Sequence, residues 1–307
     1  MTPQDAALLE LLQRLKGEGY HFVTTTPATH RRVLRRFGEA RARSLRDVFG
    51  WSLPFRQRDI DAGYVDLLDR GGMLEQDGAE LRSKVRVSSL GEQLYLHSAF
   101  PTSDDDAVFF GPDTYRFARF LRQELAQGPG GRLVDIGSGS GAGGLFAAAL
   151  RPDVRPVLAD LNDKALRLAR INAAAANIEA EVVASDGLKA VEGPIDIAIT
   201  NPPFIADRSE RTYRDGGGML GAQLSLDWAK AALDRLSPGG RLLLYTGAAI
   251  VGGKDRFGAA LGEAAAALGC SFRYEEIDPD IFGEMLNARE YHEAERIAAV
   301  GAVLTKA

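Results

Sequence analysis

The sequence predicts an α/β fold in which a mainly helical module precedes a mainly parallel sheet. From residue 132 onwards, short apolar runs typical of strands alternate with helical segments, a pattern typical of a parallel sheet with helices on both faces. Before about residue 105 the pattern is mostly helical and ends in two extended runs around an Asp-Gly turn. We therefore predict two domains, 1–105 and 106–307, joined at the acidic stretch of residues 102–106.

Composition limits the classes of function. The 307 residues are 45% hydrophobic and 26% charged, an ordinary balance for a globular protein. The net charge of -5 means that any affinity for nucleic acid has to come from a local patch. The single cysteine, Cys270, excludes an internal disulfide and a thiolate zinc site. The N-terminus does not resemble a signal peptide, and the longest apolar run, 242–253, is too short to span a bilayer. We therefore expect a cytoplasmic protein with no membrane segment and no metal.

The first module has the pattern of a winged helix. We expect helices from Pro3, over about 27–37 and over about 59–70, followed by two extended runs within 73–87. The turn Asp77-Gly78 between those runs makes them a hairpin, which would be the wing.

This module also carries clustered cations. The helix over 27–37 has four arginines on about one face, and the wing strand has three alternating cations; these are Arg31, Arg32, Arg35 and Arg36, and Arg82, Lys84 and Arg86. Such a patch can neutralise the phosphates of a nucleic acid. The alternative is a solvated helix face, or an interface with the acidic second domain.

A glycine-rich loop, Gly137-Ser138-Gly139-Ser140-Gly141, follows the first strand of the second domain. Its glycines permit a tight turn and a close approach of the backbone to a ligand, and the next helix presents its N-terminal amides there. The spacing also satisfies the dinucleotide pattern G-x-G-x-x-G. Asp135, just before the loop, favours S-adenosylmethionine instead, because a carboxylate can pair with that ligand's ammonium but repels a pyrophosphate.

Two further acids follow the next two strands. Asp160 lies 25 residues after Asp135 (160 − 135) and can accept both hydroxyls of a ribose. We assign Leu161 to the same site. Asp186 and Gly187 are expected at an adenine ring, where the carboxylate can accept from the amino group. A helix cap or a turn is the alternative role for these acids.

The fourth strand ends in Asn201-Pro202-Pro203-Phe204. A planar amino or amide nitrogen is a poor nucleophile because its lone pair is delocalised, and two acceptors aimed at its N–H bonds stabilise the positive charge that develops during attack. The side-chain oxygen of Asn201 and the carbonyl of Pro202 are the expected acceptors, stiffened by the prolines. Pro203 and Phe204 are assigned to substrate binding, with Phe204 stacking on the planar target. Alone, the motif would indicate only a turn at the end of a strand.

Together these motifs resemble those of the seven-stranded class I methyltransferases with an Asn-Pro-Pro-aromatic motif. The likeness is strongest to the methyltransferase small-domain and release-factor glutamine methyltransferase relatives, and it spans about residue 108 to the end. It rests on Val134–Gly141, Ala159-Asp160, Ser185–Gly187, Asn201–Phe204, Ala165–Asn172 and the glycine-rich Arg214–Gly218.

The resemblance implies a seven-stranded Rossmann-like sheet and S-adenosylmethionine as the cofactor. It also implies that Phe110–Tyr115, which precedes the glycine loop, covers the cofactor, and we assign Thr114 to that contact. The family includes enzymes that act on adenine in DNA or RNA, on guanine N2 in ribosomal RNA and on glutamine N5 in release factors. Phe at the fourth motif position is seen in several RNA-acting branches.

Four hypotheses follow. An RNA or DNA N-methyltransferase is favoured, with RNA ahead, since the first module looks more like the winged-helix-type domain fused to some bacterial methyltransferases than like the helical module of release-factor enzymes. A protein glutamine methyltransferase and a small-molecule methyltransferase are the alternatives. A nucleic-acid-binding regulator with a vestigial fold is disfavoured, because Asp135, Asp160 and Asn201 are all intact.

Overall fold

The computed structural model describes residues 1–38, 41–102, 104–206 and 216–307. Arg214 and Asp215 of the glycine-rich segment, and Ser103 of the acidic stretch, lie outside the described residues. The α-helices in the described ranges are α1 (Pro3–Gly17), α2 (Pro27–Phe37), α3 (Leu45–Phe49), α4 (Ala62–Arg70), α5 (Pro112–Glu124), α6 (Ala142–Leu150), α7 (Asp163–Ala176), α8 (Gln223–Arg235) and α9 (Arg256–Ala267). The strands there are β1 (Leu74–Asp77), β2 (Glu80–Ser83), β3 (Val85–Leu90), β4 (Gln93–Ser98), β5 (Gly131–Ile136), β6 (Val154–Asp160), β7 (Glu181–Ala184), β8 (Ile195–Thr200), β9 (Leu236–Val251), β10 (Lys254–Asp255), β11 (Cys270–Asp278) and β12 (Arg296–Lys306).

The second half of the chain forms one mixed sheet in the order β11-β12-β9-β8-β5-β6-β7, with β10 paired to β9. Strands β5 to β9 pair in parallel, and β12 runs antiparallel to both β9 and β11. The apolar runs predicted as strands are its core, because Val134, Ile199 and Leu243 are fully buried. The predicted α/β architecture is confirmed. From β5 the next strands lie on one side, and from β8 onwards they lie on the other, so the strand order reverses between β5 and β8. Ligands bind at such a point in this class of fold.

The first module contains two hairpins. In the first, β1 pairs with β2 across the Asp77-Gly78 turn, as predicted. The second, β3 with β4, was not predicted, and the expectation of one continuous strand as far as Val87 was wrong. The chain breaks at Lys84 because the Ser83 hydroxyl donates to the Val85 carbonyl and accepts from the Val85 N–H. The winged-helix assignment stays a prediction.

The two halves share a hydrophobic core along α7. Apolar side chains on one face of α7 pack among those of α1, α4 and the hairpins. Next to them, the Asn172 amide accepts from the Leu96 N–H (2.8 Å) and donates to the Leu96 carbonyl (3.1 Å) and to the Ser140 carbonyl (2.9 Å). Asn172 therefore ties β4 to the glycine loop. The boundary near residue 105 stays a prediction.

Candidate active site

The glycine loop and the Asn-Pro-Pro-Phe motif lie side by side, since they follow the adjacent strands β5 and β8. The Thr200 hydroxyl donates to the Ile136 carbonyl at 2.9 Å, and these are the last residues of their strands. The loop begins at Gly137, whose φ of 70° suits glycine. A Cβ on Gly137 would lie 2.7 Å from the Trp228 ring, so the close packing of Trp228 also requires glycine there.

Trp228 is a site residue that the sequence did not indicate. Its ring lies against Gly137, and a Cβ on Gly187 would be 3.1 Å from its Nε1. The indole of α8 thus fixes the two predicted cofactor turns relative to each other. In a sequence, a tryptophan at helical spacing indicates a position in the core. Only the fold places Trp228 between these two turns.

Asp135 lies beneath the first turn of α6. It is 2% exposed, and its Oδ2 accepts from the Gly144 N–H at 2.7 Å. Burial raises the pKa of its carboxyl to about 7, against the lowering effect of the Gly144 hydrogen bond, and the Asp160 charge adds to the rise. A ligand ammonium would favour the ionised form, but the contact itself stays a prediction.

Asp160 holds the glycine loop from the end of β6. One carboxylate oxygen accepts from the Gly139 N–H at 2.7 Å and the other from the Asn162 N–H at 2.9 Å. Burial raises the pKa of this carboxyl as well. Each oxygen keeps a lone pair with which it can accept a ribose hydroxyl. Leu161, beside it, is 60% exposed and offers an apolar surface to a ring.

The third predicted acid has another partner. Asp186 is exposed, and its Oδ2 is 2.5 Å from the Lys189 Nζ, one turn further on. An adenine amino group would have to compete with that ion pair. The backbone at this turn is held by the Ser185 hydroxyl, which donates to the Gly187 carbonyl at 2.9 Å. The adenine contact of Asp186 and Gly187 stays a prediction.

The segment expected to cover the cofactor is anchored at the start of α5. Thr114 is buried, and its hydroxyl accepts from the Gly111 N–H at 3.2 Å. Asp113, which the sequence did not single out, is buried beside it and accepts from the Tyr245 hydroxyl at 2.7 Å. Burial raises the pKa of Asp113. The contact of Thr114 with the cofactor stays a prediction.

The Asn-Pro-Pro-Phe loop presents a buried acceptor. The Asn201 Oδ1 is enclosed and has no hydrogen-bond partner within residues 1–38, 41–102, 104–206 and 216–307. Among the described residues, none donates to the Pro202 carbonyl either. Unpaired buried acceptors are costly, and at a functional site they are paired by a donor that the ligand brings. Both predicted acceptors thus lack a donor in the described part of the chain, and their contact with a substrate N–H stays a prediction.

Phe204 is more enclosed than its predicted stacking role suggests. It is 8% exposed, its ring packs on Gly247, and it meets Phe282 edge to face at 5.6 Å and 73°. Phe282 belongs to the 279–295 segment that connects β11 to β12, and its φ of 54° is unusual for a bulky residue. Stacking of Phe204 on a substrate stays a prediction.

The 279–295 segment is fastened to the motif loop and to α2. The Tyr291 hydroxyl accepts from the Ala206 N–H at 2.9 Å and donates to the Leu220 carbonyl at 3.0 Å. On the outer side, Arg31 of α2 forms a 3.5 Å ion pair with Glu284. The arginine-bearing helix therefore stands next to the segment that covers Phe204. Neither link was evident in the sequence, because both join residues far apart in the chain.

Arg86 is the part of the predicted cation patch that the structure contradicts. Its side chain is buried on β3, because both faces of that hairpin are covered, so it is not a surface phosphate contact. Arg82 and Lys84 are exposed, as are Arg31, Arg32, Arg35 and Arg36 on α2.

The segment that carries this geometry is similar to a known family. Residues 104–250 match the family model of the methyltransferase small domain. This segment is similar to the methyltransferase small domain. It covers Asp135, Asp160 and Asn201, and the predicted cofactor, S-adenosylmethionine, agrees with this family. The lone pairs of Asp160, the Gly137 turn and the unpaired Asn201 Oδ1 fit that cofactor beside a substrate nitrogen.

Relatives of the domain differ in substrate. The chain is 34% identical to the release factor glutamine methyltransferase of Cereibacter sphaeroides over 191 residues, 57% of this chain and 65% of the relative. It is 32% identical to the ribosomal RNA small subunit methyltransferase C of Pasteurella multocida over 128 residues, 42% of this chain and 36% of the relative. The chain thus covers less than two thirds of either relative's length.

The fold is also found among solved structures. The complex of aTrm5 and tRNALeu superposes with a TM-score of 0.50 at 16% identity, covering 74% of this chain and 56% of that one. This likeness supports the methyltransferase fold. In the described ranges, no helix combines the length and apolar character needed to cross a membrane.

Proposed function

We propose that the chain is an S-adenosylmethionine-dependent N-methyltransferase that acts on a planar exocyclic amino nitrogen of nucleic acid, with RNA favoured over DNA. The observation that carries the proposal is the enclosed, unpaired Oδ1 of Asn201 next to the glycine loop. A motif that served only to end a strand would have no reason to leave this acceptor without a donor.

The chemistry needs few residues. S-adenosylmethionine, when bound, supplies an electrophilic methyl group. Asn201 Oδ1 and the Pro202 carbonyl would accept hydrogen bonds from the two N–H groups of the target. These bonds favour a pyramidal nitrogen and stabilise its developing positive charge. The nitrogen gains the methyl group as the bond from methyl to sulfur breaks, and it loses one proton to solvent afterwards. Asp160 and the glycine loop hold the cofactor in place for an in-line attack.

Nucleic acid is favoured by the position of the exposed arginines. Arg32, Arg35 and Arg36 have no ion-pair partner among the described residues, and Arg31 places their helix beside the segment that covers Phe204. This makes a local cationic surface next to the site in a chain of net charge -5. The Pasteurella relative, named for ribosomal RNA, supports the same substrate class. A cytoplasmic location goes with the proposal.

Protein glutamine is the second candidate. A carboxamide carries two N–H bonds on a planar nitrogen, so the same two acceptors suit it, and the Cereibacter relative is named for release-factor glutamine. In that case transfer would depend neither on the α2 arginines nor on salt.

Labelling separates the two. The protein would be incubated with methyl-labelled S-adenosylmethionine and host-cell lysate, and the products divided among ribonuclease, deoxyribonuclease and protease. We expect ribonuclease to release the label. Label that survives both nucleases but not protease would overturn the nucleic-acid proposal in favour of glutamine.

A further inference from the structure

Arg86 is a buried cation without an acidic partner. It is 4% exposed, and its Nε donates to the Ser98 carbonyl at 3.1 Å. Its two terminal nitrogens donate no hydrogen bond to a described residue, and no described carboxylate pairs with it. Neither terminal nitrogen is fully enclosed. The fork of the guanidinium is therefore available to a further acceptor.

The groups around Arg86 are polar but uncharged. The Thr24 hydroxyl lies 2.5 Å from the Ser88 hydroxyl, which lies 2.7 Å from His97 Nε2, and the Tyr115 hydroxyl accepts from the Thr24 N–H. The Nδ1 atoms of His97 and His30 are enclosed without partners. Burial and the Arg86 charge lower the pKa of His30 to about 4 and that of His97 well below its usual value, so both are neutral.

An unpaired charge in such a place is unfavourable. Removing a guanidinium from water is offset only when an anion or a full set of acceptors replaces the lost hydration. Here the Ser98 carbonyl is the acceptor that the described residues supply, and the titratable groups that interact electrostatically with Arg86 are Tyr20, Tyr115, His30 and His97. No described carboxylate offsets the charge, so a bound anion would supply the compensation.

We propose that Arg86, together with its polar neighbours Thr24, Ser88, His97 and Tyr115, binds a phosphate group. The planar fork of arginine matches two phosphate oxygens, and hydroxyls at Ser88 and Thr24 are suitable further donors. His30, which faces Arg86, is the residue before Arg31 on α2, and Tyr115 follows Thr114 in the segment expected over the cofactor. A phosphate here would lie between the arginine helix and the cofactor site. The proposal rests on the proposed function in taking that phosphate from a nucleic-acid substrate.

Thermal unfolding tests the site without activity. The full chain would be melted in inorganic phosphate and in chloride of equal ionic strength, as wild type, Arg86→Met and Arg82→Met; the last removes an exposed cation of the adjacent strand. We expect phosphate to raise the Tm of wild type and Arg82→Met by roughly 2 °C or more over chloride. Arg86→Met should show no phosphate-specific rise and should be at least as stable as wild type in chloride. Equal effects of phosphate and chloride on wild type, or an unchanged rise in Arg86→Met, would overturn the proposal.

A second variant and a nucleotide series complete the test. Should Arg86→Met not fold, Arg86→Lys keeps the charge without the fork, and we expect it to lose most of the phosphate-specific rise. Nucleoside monophosphates should protect wild type at lower concentration than inorganic phosphate, and the matching nucleosides should not; protection by inorganic phosphate alone would make a free anion the ligand and overturn the nucleic-acid source. If the methyl label is found in RNA but phosphate does not raise the Tm, this inference fails and the proposed function stands. If phosphate raises the Tm but the label is found in protein, the proposed function fails.

Discussion

The Thr200 hydroxyl donates a hydrogen bond to the Ile136 carbonyl, 2.9 Å away across β8 and β5. Both residues are fully buried, and each is the last of its strand. This bond joins the start of the cofactor loop to the start of the motif loop. Under the proposed function, the separation between a bound methyl donor and the Asn201 acceptor would depend on it.

Thr200→Val tests that link. The change keeps the shape of the side chain but leaves the Ile136 carbonyl without this donor, so we expect a loss of about 1–3 kcal/mol in the free energy of unfolding. Turnover should fall more than cofactor affinity, because the two loops lose their relative position. Denaturant unfolding and methyl-transfer assays measure both. Thr246→Val, which removes another buried hydroxyl bond, to Ser225, is the control; equal turnover losses in both variants would make the Thr200 bond merely stabilising.

Asp160→Asn should weaken S-adenosylmethionine binding. In wild type the two carboxylate oxygens accept from the Gly139 N–H and the Asn162 N–H. The amide keeps one of these acceptors, and its NH₂ group meets the other N–H, donor against donor. Losing a charged acceptor costs about 1.5–3 kcal/mol, which is roughly tenfold or more in dissociation constant. Isothermal titration measures it. Asp163→Asn, an exposed acid three residues on, is the control, and an unchanged dissociation constant in Asp160→Asn would remove Asp160 from the ribose contact.

Asp135 should make stability depend on pH. Its pKa is about 7 in the folded protein and 3.8 in a model peptide. Between those values the unfolded chain releases a proton that the folded protein keeps, so the free energy of unfolding falls as pH rises. Asp135→Asn should lack this fall, and the two proteins should diverge from pH 4 to about pH 7. Above pH 7, S-adenosylmethionine should stabilise wild type more than the variant, because its ammonium pairs with the ionised carboxylate. Parallel pH profiles would refute the shifted pKa.

The arginine helix should govern substrate affinity and not cofactor affinity. We expect Arg32/Arg35/Arg36→Gln to weaken RNA binding and to reduce the slope of log affinity against log salt by about 0.7–0.9 per lost phosphate contact. Arg31 is spared because it pairs with Glu284. Filter binding across a salt series measures the slope. The control, Lys254/Arg256→Gln, removes exposed cations at the start of α9; the same slope in wild type and both variants would rule out phosphate contacts by α2.

Local patterns predicted the sheet because each of its strands carries its own signal. The strands β5 to β8 are short, largely apolar runs that end near a glycine, an acid or the Asn-Pro-Pro-Phe motif, and these patterns depend on neighbours in sequence. The β3–β4 hairpin was missed for the opposite reason. Its strand β3 is buried on both faces, so the polar residues that alternate with its valines, Arg86 and Ser88, indicate an exposed face that the fold does not have.

The same distinction holds at the site. Asp135, Asp160 and Asn201 could be named from the sequence, since each lies at the end of a strand or directly after it. Trp228, Phe282 and Tyr291 could not, because each reaches the site from an element distant in the chain. Arg86 looked like a surface cation in an alternating strand until the fold covered both of its faces.

The most direct test of the central claim compares methyl transfer by wild type and Asn201→Ala on the labelled substrate, with S-adenosylmethionine affinity measured alongside. We expect turnover to fall by roughly two orders of magnitude or more, as when one preorganised acceptor is lost, while the cofactor dissociation constant stays nearly unchanged. Asn177→Gly, at the C-terminal end of α7, should retain both. Near-full turnover in Asn201→Ala would contradict the assignment of the chemistry to this motif.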